Sequence, residues 1–199
     1  MPTDIFPIAV DTDDGSGYLR DTFYPPTTFV NDDAPDAAGV ARHFLSPNYT
    51  VSHILLRWDT SSIADGASIS AAELAFIYLG QGGSFDYDLI GQWYDFGGEP
   101  TVAADIITDA VYDAIAPQDP SLWGGAPQEI VVPIADLSGI NKTGYTGLRL
   151  KLTGTTPTTA EYYSIAVYEH ATHAPPELRV TYTVGEKQSF YTSRSRSWR

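Results

Sequence analysis

The chain has 199 residues, enough to bury the core of one domain, and its 43% hydrophobic and 18% charged residues are too apolar a balance for a disordered protein. No run approaches the ~18 apolar residues of a membrane span, and the absence of cysteine excludes disulfides, thiolate metal sites and a cysteine nucleophile. The net charge of −14 argues against nucleic acid as a partner of the domain, because an acidic surface repels phosphate backbones.

The first stretch, "MPTDIFPIAV", has neither a basic start nor a long apolar run, so no secretory signal is expected in it. "FPIAV" and "GYLRDTFY" flank "DTDDGSG" and predict a hairpin. In that turn Asp11, Asp13 and Asp14 are the best metal candidates, since hard oxygens around a tight turn suit calcium. The alternative is that Asp14-Gly15 simply turns the chain, with no cofactor at all. Residues 1–50 are the least regular part of the sequence.

Strand signals dominate from there. "HILLRW" (53–58) and "AELAFIYL" (72–79) are apolar runs, followed by "EIVVPI" (129–134), "GLRLKLTG" (147–154), "YYSIAVYE" (162–169) and "ELRVTYTV" (177–184). Leu148, Leu150 and Leu152 alternate with Arg149 and Lys151, the period of a strand with one wet face. Leu178, Val180, Tyr182 and Val184 alternate in the same way with Arg179, Thr181 and Thr183. One helix is expected over Thr101–Ala116, where Val102, Ile106, Ala110, Val111 and Ile115 form an apolar stripe that Pro117 ends. The joints are rich in Gly, Pro, Asn and Asp. Together these signals predict an all-β fold, an antiparallel β-sandwich of jelly-roll type with one short helix, in a single domain over residues 1–184.

At 54–79 the sequence resembles the DNRLRE-domain group of β-sandwiches. Leu55, Leu56, Arg57, Trp58 and Asp59 match its Leu-Leu-Arg-Phe-Asp strand with Trp for Phe; Ser61, Ser62, Ile63, Gly66, Ile69, Ala72 and Leu74 follow. Pro175, Pro176, Leu178, Val180, Thr181, Tyr182 and Thr183 resemble its closing strand, and "GYTGLRLKL" its penultimate one. The middle, 80–128, departs from the pattern. The resemblance implies a jelly-roll module related in shape to carbohydrate-binding modules and often attached to secreted wall or polysaccharide proteins, without catalysis. On this reading Leu55 faces the core with Leu74, Phe76 and Tyr78, while Arg57 and Asp59 share one strand face and pair or tie down a crossing loop.

Catalytic signatures are weak. Asp86, Asp88, Asp95 and Glu99 could supply a glycosidase pair but read equally as a solvated edge. His43, His53, His170 and His173 have no G-x-S-x-G elbow beside them, and His170 and His173 lack a third zinc ligand. No enzyme is expected. Trp93, Tyr94 and Trp123 could stack on sugar rings, or serve as core and interface aromatics.

After Gly185 the character changes. Lys187, Arg194, Arg196 and Arg199 against Glu186 give residues 185–199 a charge of +3, which leaves −17 on residues 1–184. Phe190, Tyr191 and Trp198 add apolar anchors to Arg194, Arg196 and Arg199, as in an arm that docks on a neighbouring subunit. The expectation is a bacteriophage virion component, a capsid decoration or cement protein, located on the virion. Its partners would be capsid or other virion subunits and copies of itself, with a trimer favoured. The alternatives are a carbohydrate-binding or cell-surface adhesion module, extracellular and bound to glycans, and a tail-associated virion protein. No membrane partner is expected.

Overall fold

A computed structural model describes residues 2–31, 37–83, 87–98, 100–107, 113–154 and 156–184. It contains twelve strands: β1 (Thr3–Pro7), β2 (Asp14–Asp21), β3 (Phe29–Asn31), β4 (Ala37–Leu45), β5 (Asn48–Asp59), β6 (Ala67–Gly83), β7 (Leu89–Trp93), β8 (Asp113–Gln118), β9 (Gln128–Pro133), β10 (Tyr145–Leu152), β11 (Glu161–Ala166) and β12 (Glu177–Val184). The described residues hold one short α-helix, α1 (Ala103–Ile107).

All pairings are antiparallel, and the strands form one curled sheet in the order β1-β12-β6-β11-β4-β5-β10-β7-β8. The curl follows from two long strands that divide their partners. Along one edge β5 pairs with β4 through Asn48–Ser52 and then with β10 through Ile54–Asp59, while β2 runs along its other edge. In the same manner β6 pairs with β12 and then β11 on one side, and with β9 on the other. One layer is thus β3-β2-β5-β10-β7-β8, the second is β1-β12-β6-β9, and β4 with β11 joins them. This is the all-β, sandwich-like arrangement that strand periodicity predicts.

The core lies between the layers. Ile54, Leu56 and Trp58 of β5 and Leu148, Leu150 and Leu152 of β10 meet Leu74, Phe76 and Tyr78 of β6 and Leu178, Val180 and Tyr182 of β12. Removal of their apolar surface from water is the main stabilising term. Trp58 Nε1 donates to Pro176 O at 3.1 Å, so the Leu-Leu-Arg-Trp-Asp strand and the Pro-Pro segment before β12 are tied together inside the fold.

Four expectations are corrected. The helix predicted over 101–116 ends, among the described residues, at Ile107, and residues 113–118 form β8 on β7. Ile115 packs directly over Gly91, where even a Cβ would come within 2.7 Å of it, so sheet packing overrides local helix propensity. The hairpin at 6–24 is also absent. β1 joins β12 in one layer and β2 joins β5 in the other, so the Asp-rich turn crosses between layers. Leu55 is fully buried but lies on the opposite side of β5 from Leu56 and the main core. Finally, the expected wet face of β10 is covered at Arg149, which is only 1% exposed, while Lys151 stays half-buried. The covering segment runs from Tyr94 through α1, and α1 packs on β2 and β5.

Candidate functional site

The three aromatics predicted to stack on sugars are held by the fold and do not share a surface. Trp93 is buried; its indole lies against Gly139 and donates from Nε1 to Asp136 O at 3.0 Å. Trp123 is half-buried and packs edge-on to Phe76, Tyr78 and Tyr163, with centroids 5.3 to 6.1 Å away. Tyr94 donates its hydroxyl to Asp105 Oδ1 at 3.0 Å, and its ring lies 4.9 Å from the Arg149 guanidinium.

The Asp-rich turn is a short 3-10 turn (Asp11–Asp13). Asp13 is buried 3.8 Å from Arg57, Asp14 accepts the Tyr168 amide at 2.7 Å, and Asp11 is exposed. The three carboxylates serve different parts of the fold, and among the described residues no group of three or more His, Asp or Glu side chains is placed to hold a metal ion. Burial pushes the Asp13 carboxyl up despite the opposing pull of Arg57.

Arg57 ties down a crossing loop. It donates from Nη1 to Gly97 O at 2.8 Å, lies 3.3 Å from Asp95, and covers the Tyr145 ring at 3.6 Å. Of the proposed glycosidase carboxylates, Asp95 therefore belongs to this strut, and Asp86 and Glu99 lie outside the described residues. His170 and His173 stack on each other at 4.6 Å, and His170 Nδ1 accepts the amides of Thr172 and His173, so that nitrogen holds a turn. The arm residues Phe190, Tyr191, Arg194, Arg196, Trp198 and Arg199 also lie outside the described residues.

One concavity among the described residues was not singled out by sequence reasoning. It is a cleft of about 510 Å³ on the outer face of the β2-β5-β4 ladder. Its floor is Leu19, Val51 and His53; Arg42 comes from β4, Lys151 from β10 and Ile106 from α1. The opposite wall is the 24–27 loop, with Tyr24, Pro25, Pro26 and Thr27. Asp21 fixes this loop by accepting the amides of Thr27 and Thr28 on one carboxylate oxygen, which holds its carboxyl below the usual range. Arg42 donates from Nη1 to the Tyr24 hydroxyl and so joins wall to floor.

The electrostatics of this face are unlike the rest of the chain. Residues 1–184 contain seven Lys and Arg; Arg42 and Lys151 line this cleft and Arg149 shares its face of β10, whereas Arg20 lies on the other side of β2 beside His43. His53 is only 6% exposed, and its Nδ1 has no hydrogen-bond partner among the described residues. Burial, and then the positive charges of Arg149, Lys151 and Arg42, hold its imidazole well below its ordinary value, so it is neutral near pH 7. The register explains why this was hidden. Arg149 opposes Leu55 and Leu150 opposes Ile54, which sets Lys151 beside His53, while Gly17 of β2 flanks His53 on the other side. The only sequence signal was the scatter of cations over "ARH", "SH" and "LRLK", whose convergence depends on pairing.

No family model matches the chain, and no curated protein matches it in sequence.

Proposed function

We propose that the chain is a non-catalytic structural and interaction protein, acting as a capsid decoration or cement protein of a bacteriophage virion. The observation that supports this reading best is the partition of charge: −17 on residues 1–184 against +3 on residues 185–199. A basic segment with Phe190, Tyr191 and Trp198 is complementary to the acidic body of a neighbouring copy or of another particle subunit. The fold is compatible with a load-bearing role. Two arginines act as struts: half-buried Arg57 holds Gly97, and buried Arg149 holds Asp105 and Gln92. β12 stays paired with β6 up to Val184, so the body is closed where the basic segment begins.

Contact area gained between lattice neighbours would then offset outward pressure on a shell. The test is deletion of residues 186–199. The expected result is a body that still melts cooperatively but no longer forms the oligomer, a trimer on this reading, or occupies particles. Unchanged oligomeric state and unchanged occupancy on particles would refute it.

A further inference from the structure

We propose that the outer face of the β1-β12-β6-β9 layer is the surface on which residues 186–199 of a neighbouring copy dock, with their aromatic rings on its apolar side chains and their arginines on its carboxylates. The inference rests on the reading of that segment as a docking arm and names the surface that receives it.

Three observations carry it. The first is the composition of the face. Strand alternation turns Ile5 and Pro7 of β1, Ile77 of β6, and Val131 and Pro133 of β9 away from the core. Ile5 is 56% and Val131 43% exposed, whereas the segment from Tyr94 through α1 crosses the outer face of the other layer. The second is charge. Glu73, Glu129 and Glu177 share this face with Arg179, three carboxylates against one guanidinium, a net of −2. Arg179 donates from Nη2 to Glu129 at 2.6 Å and to Glu177 at 2.9 Å, and so spans β6 above Ala75. The guanidinium is shared by two carboxylates, so the excess negative charge is left for a cationic partner. The third is direction. β12 starts at Glu177 in this ion cluster and ends at Val184, about 23 Å along the strand. A chain leaving Val184 must double back over that length to reach its own carboxylates, so a second copy is better placed to meet them.

These features select the occupant. Two such faces pressed together would each bring −2, which disfavours a symmetric face-to-face contact. A purely basic segment would leave Ile5, Val131 and Pro133 in water. Residues 186–199 hold Phe190, Tyr191 and Trp198 among Lys187, Arg194, Arg196 and Arg199, which matches both halves of the face. Arginine suits the role, because its planar fork takes a carboxylate bidentately while its stem covers apolar surface.

The experiment uses the full chain with the photo-cross-linker p-benzoylphenylalanine in place of Tyr191. Equal amounts of unlabelled and isotope-labelled copies are mixed at low ionic strength, irradiated and mapped by mass spectrometry. The expected result is cross-links of mixed isotope content from position 191 to β1, β9 or β12, at residues such as Ile5 and Val131. Val131→Lys and Glu73→Lys should each lower that yield about fivefold with melting temperature unchanged. Leu45→Lys, exposed on β4 away from this face, should leave the yield as it is. Cross-links confined to single copies, or falling mainly on β2, β4, β5 or β10, would overturn the proposal. So would an absence of cross-links, or an equal loss with Leu45→Lys. The map itself uses no substitution on the face, so it does not depend on those variants folding. Deletion of residues 186–199 separates the surface from the reading beneath it. Association lost on deletion, with cross-links elsewhere, removes this surface alone; association unchanged on deletion removes both.

Discussion

Arg149 occupies a position that strand alternation assigns to water, yet it is among the most buried side chains of the molecule. Its cost of burial is met by contacts: Nη1 donates to Asp105 O and Nη2 to Gln92 Oε1, both at 2.9 Å, and the guanidinium faces the Tyr94 ring. Arg149→Ala should therefore lower stability by about 2–3 kcal/mol in urea unfolding, because charge-assisted hydrogen bonds are lost and their acceptors stay buried. Arg149→Lys should recover only part of it, since an ammonium cannot reach both acceptors as the planar fork does. His53, on the same face, gives a pH prediction. Its folded-state value lies well below the ordinary 6.5, so between the two values the unfolded chain binds the proton and the folded chain does not. Its contribution is complete above about pH 6.5 and is lost as pH falls through that range, with a slope of up to about 1.4 kcal/mol per pH unit. His43, lowered by burial and by Arg20, acts in the same sense. The carboxylates held low, Asp21, Asp59 and Asp136, remain ionised in this window, and Asp13, held high, acts in the opposite sense at lower pH. Urea midpoints of wild type should fall from pH 7.5 to 5.5, and His53→Gln should flatten that fall; an equal slope in both would exclude His53 as its source.

The covering segment is the element on which the outer face depends. It leaves β7 at Tyr94, whose amide donates to Gly147 O at 3.0 Å, and then crosses directly over that glycine. A Cβ on Gly147 would lie 2.4 Å from Asp95 Cα and 2.5 Å from Tyr94 O, both backbone atoms that cannot rotate away. Gly147→Ala should therefore cost about 1–3 kcal/mol and open the segment to proteolysis between residues 94 and 98, seen as a new cut in limited digestion. Unchanged resistance to protease would show that the segment holds without this contact. This element also marks the limit of what periodicity could reveal. Leu148, Leu150 and Leu152, or Leu178, Val180 and Tyr182, declare their buried face locally, because alternation reports which side of a strand is apolar. Whether the other side is wet depends on a segment far away in sequence, 44 positions from Arg149 at Asp105. The burial of Arg149, and the side of β5 on which Leu55 is buried, were hidden for that reason. Ile115 belonged to a valid helical stripe and joined a strand because Gly91 opened a place for it. The cleft was the least legible feature, since Arg42, His53 and Lys151 are isolated in sequence and meet only through the β4-β5-β10 register.

At the scale of the whole molecule, the distribution of charge makes a prediction about how copies meet. Two bodies carrying −17 repel each other, and added salt screens that repulsion within about 10 Å at 0.1 M. A truncated chain ending at residue 185 should therefore show net repulsion at low ionic strength that weakens as salt rises. The full chain adds a +3 segment able to lie on a neighbour's acidic surface. Its attraction is also strongest at low salt and is also screened, so its salt dependence has the opposite sign. Sedimentation or light scattering of both chains at low and at moderate salt separates the terms. The intact chain should associate at low ionic strength and loosen as salt is added, while the truncated chain should approach ideal behaviour from the repulsive side. Slopes of the same sign would mean that residues 186–199 do not act by charge on a neighbouring body. An association that persists unweakened at high salt would assign the contact instead to Phe190, Tyr191 and Trp198, whose burial salt does not screen.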